Sequence, residues 1–457
     1  MNKGKVYLIG AGPGDPGLLT CRAKQLLSDC DVVCYDKLVA PAILAMIPSN
    51  VQLHQVGYRG YQGGHITYDM HPDVMEFALA GKTVARLKSG DPCIFGRTTE
   101  ECRDLKQHGI AYEIVPGITA ALGAASYSGF PLTSGGIASS VTFVSGHEHS
   151  KTIASWGELG RAGGTLVLYM GAKKLAQHAV NLMNNGRDPN TPIALISSAT
   201  RADHTCLIAT LATIGEKIEN NELTGPALTI IGDVVSQSSE LDWRSLLPFT
   251  GVSFLVCGQY SESKLLKEQG GEVIEIAQLP TDSLLEEEDL HFLASQSELS
   301  FLDFTSFTLW RQAIEKYRFD IRQFAMPMGS QSSAVRRALR KIGINCANIS
   351  DKSLKLTVDE ARSLAIVEHT YLVGRYKKQP LAYALPNIDW LLVDDVLIAQ
   401  SLIQQNPDLL QKTQIVPLND QARTWALMNN YILNENDIPD FIDDSELSQS
   451  YERSHVA

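Results

Sequence analysis

"VYLIGAGPGDPGLLT", Val6 to Thr20, decides how the first half of this chain is read. A β-rich run, Val6 to Ile9, passes into Gly10, Gly12, Gly14 and Gly17, the pattern of a strand that ends in a ligand-binding turn. A dinucleotide loop is the obvious interpretation, and it fails on chemistry. The G-x-G-x-x-G spacing needs its third glycine at position 15, which is Asp15. Pro13 and Pro16 lack the backbone N–H groups that would cradle phosphate oxygens, and an aspartate would repel a pyrophosphate. The loop suits something small and not anionic.

Outward from this loop, the first half alternates β-rich runs with helical stretches. Strands are predicted at Val6–Ile9, Asp31–Tyr35, Thr83–Leu87 and Tyr112–Val115, with helices such as Leu18–Leu27 and Thr98–His108 between them. This is the rhythm of an α/β domain with a mostly parallel sheet. After a Gly/Ser-rich break at "TSGGIASS" (Thr133–Ser140), a second set follows at Val141–Ser145, Leu166–Met170, Pro192–Ser197 and Ala227–Ile231. The first half thus divides into two α/β lobes, about 1–135 and 136–247, with a cleft between them. "SELDWRSLLPFTG" (Ser239–Gly251) reads as a terminal helix and a hinge. A further α/β domain, 248–440, opens on "VSFLVCG" and a helix over Ser261–Gln269, and the acidic stretch 441–457 reads as a frayed tail.

The bulk properties narrow the class. With 457 residues, 44% hydrophobic and 20% charged, the chain has ample material for several cores. A net charge of −12 without any basic run argues against a nucleic-acid partner. No apolar run reaches the roughly 20 residues that span a bilayer, and no signal peptide is expected ahead of the first strand. Cys21, Cys30, Cys34, Cys93, Cys102, Cys206, Cys257 and Cys346 form no C-x-x-C pair, so inert, reduced cysteines in a cytoplasmic protein are expected.

Five strand ends carry small or unusual residues: "GAGPGDPG", "YDKLVAP", "KSGDPCIFGR", "VPGITAALGAAS" and, from the second lobe, "YMGAKK". In open α/β sheets ligands bind beyond the carboxyl ends of the strands, so these loops should converge. Taken in order, "YLIGAGPGDPGLLT", "YDKLV", "SGDPCIFGR" and "VPGITAA" resemble the S-adenosylmethionine-dependent tetrapyrrole methyltransferases, over about Lys5 to Phe249. "YDKLV" narrows the resemblance to the uroporphyrinogen-III C-methyltransferases. That branch implies methylation of uroporphyrinogen III at C2 and C7 to precorrin-2, in sirohaem- or cobalamin-type biosynthesis, by a homodimer of two-lobed α/β subunits. A sulfonium cofactor without phosphate agrees with a loop of prolines and an aspartate.

The resemblance implies a cofactor site of Pro13, Ser89, Gly90, Asp91, Ile94, Thr119, Ala120, Met170, Ala199 and Ala227. Taken singly, Gly90 and Ala120 read equally well as a tight turn and helix packing. Ser89 and Ala199 stand where the family commonly has glycine, small changes that leave cofactor binding expected. Transfer to a pyrrole carbon is mainly a matter of positioning, followed by loss of a proton to one base. Asp36 matches the family residue for that base; the bland alternative is an aspartate that caps the following turn. Tyr58, in "VGYRG", replaces a lysine proposed as an acid in the family, and a phenol donates without carrying positive charge. The substrate is a polycarboxylate, which bidentate arginines suit. Arg59 and Arg97 are the leading candidates, with Arg22, His65 and His147 weaker ones. His147 and His149 alternate without a third ligand, so no metal is expected.

The second half resembles uroporphyrinogen-III synthase more distantly, in "DFTSFTLWRQAIEKY" (Asp303–Tyr317) and "AMPMGSQSSAVRRALRKIGINC", with Ser332 and Ser333 near a usual threonine. The early arginine is absent, the middle is shortened, and Asp394 and Asp395 replace an expected "TS" pair. Fused synthase ancestry with impaired activity is the expectation. Two other readings of the whole chain stay open at this point: a methyltransferase acting on another corrinoid intermediate, and a catalytically dead tetrapyrrole carrier.

Overall fold

A computed structural model describes residues 3–56, 69–146, 156–220, 225–330, 332–347, 350, 352–358, 369–377 and 380–433. The chain forms two compact units. One holds the residues up to Val252 with Gln269–Glu272 and Ala382–Ala384; the other holds the remainder from Ser253 onward. Among the described residues, no helix is long and apolar enough to cross a membrane.

The first unit carries two five-stranded sheets. The first joins β1 (Lys5–Gly10), β2 (Val32–Tyr35), β3 (Gln52–Gln55), β4 (Val84–Lys88) and β5 (Ala111–Val115) in the order β3-β2-β4-β1-β5. Every pairing in it is parallel. Both faces are covered, as parallel sheets require. Ile9, Val33, Tyr35, Ala85 and Leu87 pack into one apolar cluster. Val6, Leu8, Val32, Cys34 and Val84 pack into another, with Cys102 and Leu105 of the helix Thr98–Gln107. The predicted strands match to within a residue, while β3 was not anticipated. The helix foreseen at Leu18–Leu27 begins later, at Cys21, because Thr20 caps it by accepting from Ala23 N–H.

The second sheet is β6 (Val141–Ser145), β7 (Thr165–Tyr169), β8 (Pro192–Ser197), β9 (Thr205–Thr210) and β10 (Ala227–Ile231), ordered β6-β7-β10-β8-β9. The parallel expectation does not extend here. β6 and β7 are parallel, but β10 runs antiparallel to both β7 and β8, and β8 to β9. Largely apolar runs such as "ALTII" show burial on both faces and carry no sign of direction. The terminal helix expected at Ser239–Gly251 shrinks to one turn, Ser238–Leu241, and a 3-10 turn, Arg244–Leu246.

The other unit also has two sheets. β11 (Ser253–Cys257), β12 (Glu272–Ile276), β18 (Trp390–Val393) and β19 (Gln414–Pro417) lie in the order β12-β11-β18-β19. Between them in sequence come β13 (Thr281–Ser283), β14 (Leu299–Phe301), β15 (Met328–Gly329), β16 (Leu354–Val358) and β17 (Thr370–Tyr376), ordered β13-β17-β16-β14-β15. Trp310, Phe301, Phe307 and Phe324 anchor the core of this inserted lobe. The acidic patch at Glu286–Asp289 is the capped first turn of the helix Glu287–Ala294, where carboxylates face the positive end of the helix dipole.

Candidate active site

The loops after β1, β4 and β5 meet at the carboxyl edge of the first sheet. Gly12 and Gly90 exchange backbone hydrogen bonds of 3.1 and 2.8 Å. Asp91 ties two loops together, its carboxylate accepting from Cys93 N–H at 2.7 Å and from Gly117 N–H at 2.9 Å. Two glycines are demanded by this approach. A Cβ on Gly10 would lie 2.6 Å from Gly117 N and 2.7 Å from Gly90 O, and Gly90 itself has φ +71° with Thr119 and Ala120 stacked beneath it. Pro13 packs on Gly123 of the helix Ala120–Tyr127, where a Cβ would come within 2.5 Å of the proline ring.

The second sheet contributes its own edge. Tyr169 closes β7 and sends its hydroxyl to Thr119 Oγ1 at 2.7 Å; the same oxygen accepts from Ala121 N–H at 3.2 Å. It thereby satisfies a helix N-terminus whose capping residue, Thr119, makes no cap bond of its own. Met170 follows at φ +56°, exposed. Asp15 N–H donates to Thr200 Oγ1 at 3.0 Å, and Gly14 lies against Ala199 O. Because β10 is antiparallel, it brings its first residue, Ala227, to this edge, paired with Ser197. Pro13, Gly90, Thr119 and Ala120 on one lobe, and Met170, Ala199 and Ala227 on the other, thus share one region. Ser89 and Ile94 sit on the β4 loop, exposed and half-buried.

The region contains backbone amides, hydroxyls and aromatic rings, with Phe95 and Tyr169 ring centres 5.0 Å apart. It suits an uncharged nucleoside better than a phosphate. Tyr127, Thr200 and Tyr169 were missed in the sequence. Tyr127 donates to Asp15 Oδ2 at 2.5 Å, and burial, reinforced by this bond, holds its phenol well above the usual tyrosine range.

Asp36 lies just past β2, beside β4. Its carboxylate does not cap the following turn, which closes through the backbone bond Val39 N to Asp36 O. Instead Arg86 Nη2 donates to Asp36 Oδ1 at 2.6 Å. Arg86 in turn belongs to a buried group with Lys88 and Glu101. Arg97 starts the helix Thr98–Gln107 at φ +58°, half-buried. Arg22 points elsewhere, pairing with Glu113 at 3.1 Å. Tyr58, Arg59, His65, His147 and His149 lie outside the described residues. Among the described residues, no group of three or more His, Cys, Asp or Glu could hold a metal ion.

In the other unit, four helix N-terminal caps meet at one small cavity: Asp303, Ser332, Asp395 and Asn419, with Asp394 and Gln421 beside them. Asp395 accepts from Leu397 N–H and Ile398 N–H, so its carboxylate serves the helix Val396–Gln405. Burial, then the neighbouring Asp395, pushes the Asp394 carboxyl up to about 6.

Residues 5–215 match the model of the Tetrapyrrole (Corrin/Porphyrin) Methylases. The chain is 42% identical over 239 residues to an S-adenosyl-L-methionine-dependent uroporphyrinogen III methyltransferase of Methanosarcina barkeri, covering 51% of this chain and 93% of that one. The chain belongs to the tetrapyrrole methylases. This methylase is also 32% identical over 370 residues to a uroporphyrinogen-III C-methyltransferase of Bacillus subtilis, covering 79% of this chain and 76% of the relative. It is 44% identical over 241 residues to a siroheme synthase of Hahella chejuensis, covering 52% of this chain and 51% of that protein's length. The methylase is a methyltransferase enzyme, and the matched family model lies within the first unit.

Proposed function

We propose that this methylase transfers methyl groups from S-adenosylmethionine to uroporphyrinogen III, at C2 and C7, giving precorrin-2. The cofactor, when bound, supplies an electrophilic methyl carried on a positively charged sulfur. Pro13, Gly90, Thr119, Ala120 and Met170 are the residues to hold it, with Tyr169 fixing the start of the helix on which Ala120 stands. The observation that carries the reading is Asp36, aimed by Arg86 at the same sheet edge as the Ser89–Arg97 loop. β2 and β4 are neighbours, so the carboxylate and that loop emerge side by side.

Asp36 acts as the base. As the new C–C bond forms at the pyrrole carbon and the S–CH3 bond breaks to leave S-adenosylhomocysteine, a proton leaves the bridging carbon and passes to the free oxygen of Asp36, the other oxygen being held by Arg86. Arg97, and Arg59 beyond the described residues, meet the substrate carboxylates, while Tyr58 donates a hydrogen bond in place of a lysine. The test is the mass of the product: two methyl groups added to uroporphyrinogen III, with S-adenosylhomocysteine formed in step. Asp36→Asn should abolish methylation and leave S-adenosylmethionine affinity within a few-fold; full activity in that variant would remove Asp36 from the chemistry. A different mono- or dimethylated corrinoid would move the substrate along the pathway, and no turnover would favour a carrier.

For the second unit we infer a synthase-like domain with impaired ring closure. Asp303, Asp394 and Asp395 bring three carboxylates to the one cavity, a poor reception for an acidic linear tetrapyrrole. Fresh hydroxymethylbilane given to the whole chain should yield only the spontaneous type I isomer. Enzymatic type III product would overturn this.

A further inference from the structure

The strand β4 reads "VARLK", and its side chains alternate between two covered faces. Val84 lies in the apolar cluster with Cys102 and Leu105, and two and four residues later the same face carries Arg86 and Lys88. Both are buried, at 7% and 6% exposure. Opposite them the helix Thr98–Gln107 presents Glu101, 6% exposed, in its first turn. Glu101 Oε1 accepts from Lys88 Nζ at 2.7 Å and lies 3.7 Å from Arg86 Nε. The far end of Arg86 reaches Asp36, the one member of the group with a substantially exposed side chain, at 31%. Two cations and two carboxylates therefore run in a line, Lys88–Glu101–Arg86–Asp36, from the interior to the sheet edge.

Such a group is a poor way to stabilise a fold. Burying ions is costly, and well-packed apolar residues of similar volume are often as stable or more so. The group is not even fully satisfied: Arg86 Nε and Glu101 Oε2 have no hydrogen-bond partner among the described residues. What it does produce is a guanidinium held from behind, with a fixed end offered to Asp36. We propose that Glu101 is a positioning residue for Asp36, acting through Arg86 by balancing the charge of Lys88. Burial, with Arg86 beside it, already draws Lys88 below the usual lysine range while Glu101 pulls the other way, so the balance is a close one. Without the Glu101 charge, two buried cations compete for one carboxylate, and Asp36 is drawn into the cluster with both oxygens engaged.

The proposal rests on Asp36 being the base, and the experiment separates the two. In the full chain, Glu101→Gln should lower kcat by about tenfold, within the range by which contacting residues couple, with S-adenosylmethionine affinity and KM for uroporphyrinogen III little changed. Adding Lys88→Met restores neutrality and should return kcat to within about threefold of the parent. If Glu101→Gln is insoluble, Lys88→Met alone takes its place: a loss of kcat there, recovered in the double variant, supports the same balance. Unchanged kcat in the single variants overturns the proposal, as does a loss that the double variant deepens or that cofactor affinity shares. An active Asp36→Asn variant would instead defeat the base assignment beneath it.

Discussion

Replacing Asp394 by asparagine should stabilise the second unit, and only at the alkaline end. The Asp394 carboxyl is raised from an ordinary 3.8 to about 6, by burial first and by Asp395 second, against the pull of the Asn419 amide at 3.2 Å. A group with a raised pKa binds its proton more tightly folded than unfolded. Stability therefore falls as pH rises between about 4 and 6, and the whole penalty is present above about 7. At about 1.4 kcal/mol for each tenfold change in proton affinity, the rise from 3.8 to about 6 makes that penalty roughly 3 kcal/mol as an upper bound. Asparagine keeps the shape and an acceptor for Asn419 while removing the charge. Urea unfolding of the full chain should show the transition of this unit moved up by roughly 2 kcal/mol at pH 8 and hardly at all at pH 4. An equal gain at both pH values, or a loss at pH 8, would refute the electrostatic account.

The methylase unit gives two further expectations. Tyr169→Phe removes the hydroxyl that serves Thr119 and Ala121, a loss of about 1–3 kcal/mol, to be read as weaker S-adenosylmethionine binding by calorimetry with kcat at saturation nearly kept; unchanged affinity would detach Tyr169 from the cofactor. Gly10→Ala drives a methyl into Gly117 and Gly90 backbone, which cannot swing aside as a side chain could. It should lower the thermal midpoint and cofactor affinity together, at an overpacking cost of about 1–3 kcal/mol, and an unaltered midpoint would show that the loops are not closely held.

What the sequence made legible, and what it hid, divides along a physical line. Local chemistry was readable: glycine and proline at strand ends announce close backbone approach, and Asp15 with two prolines excludes a phosphate on the chemistry of those residues alone. Pairings across the sheet were not. Asp36 and Arg86 are separated by 50 residues and meet only because β4 lies beside β2, a strand order that neither segment encodes alone. The same limit hid Tyr169 as the partner of Thr119, and it hid β10's direction, which is why an N-terminal residue such as Ala227 reaches the edge where β6, β7 and β8 end. Yet one signal stood in the open. A parallel strand buried on both faces has no reason of its own to carry Arg86 and Lys88 two residues apart, and charges in such a place require partners. A strand like "VARLK" is therefore already a statement that a carboxylate waits on the covering helix, and Glu101, in the first turn after "GRTTE", is where that argument leads.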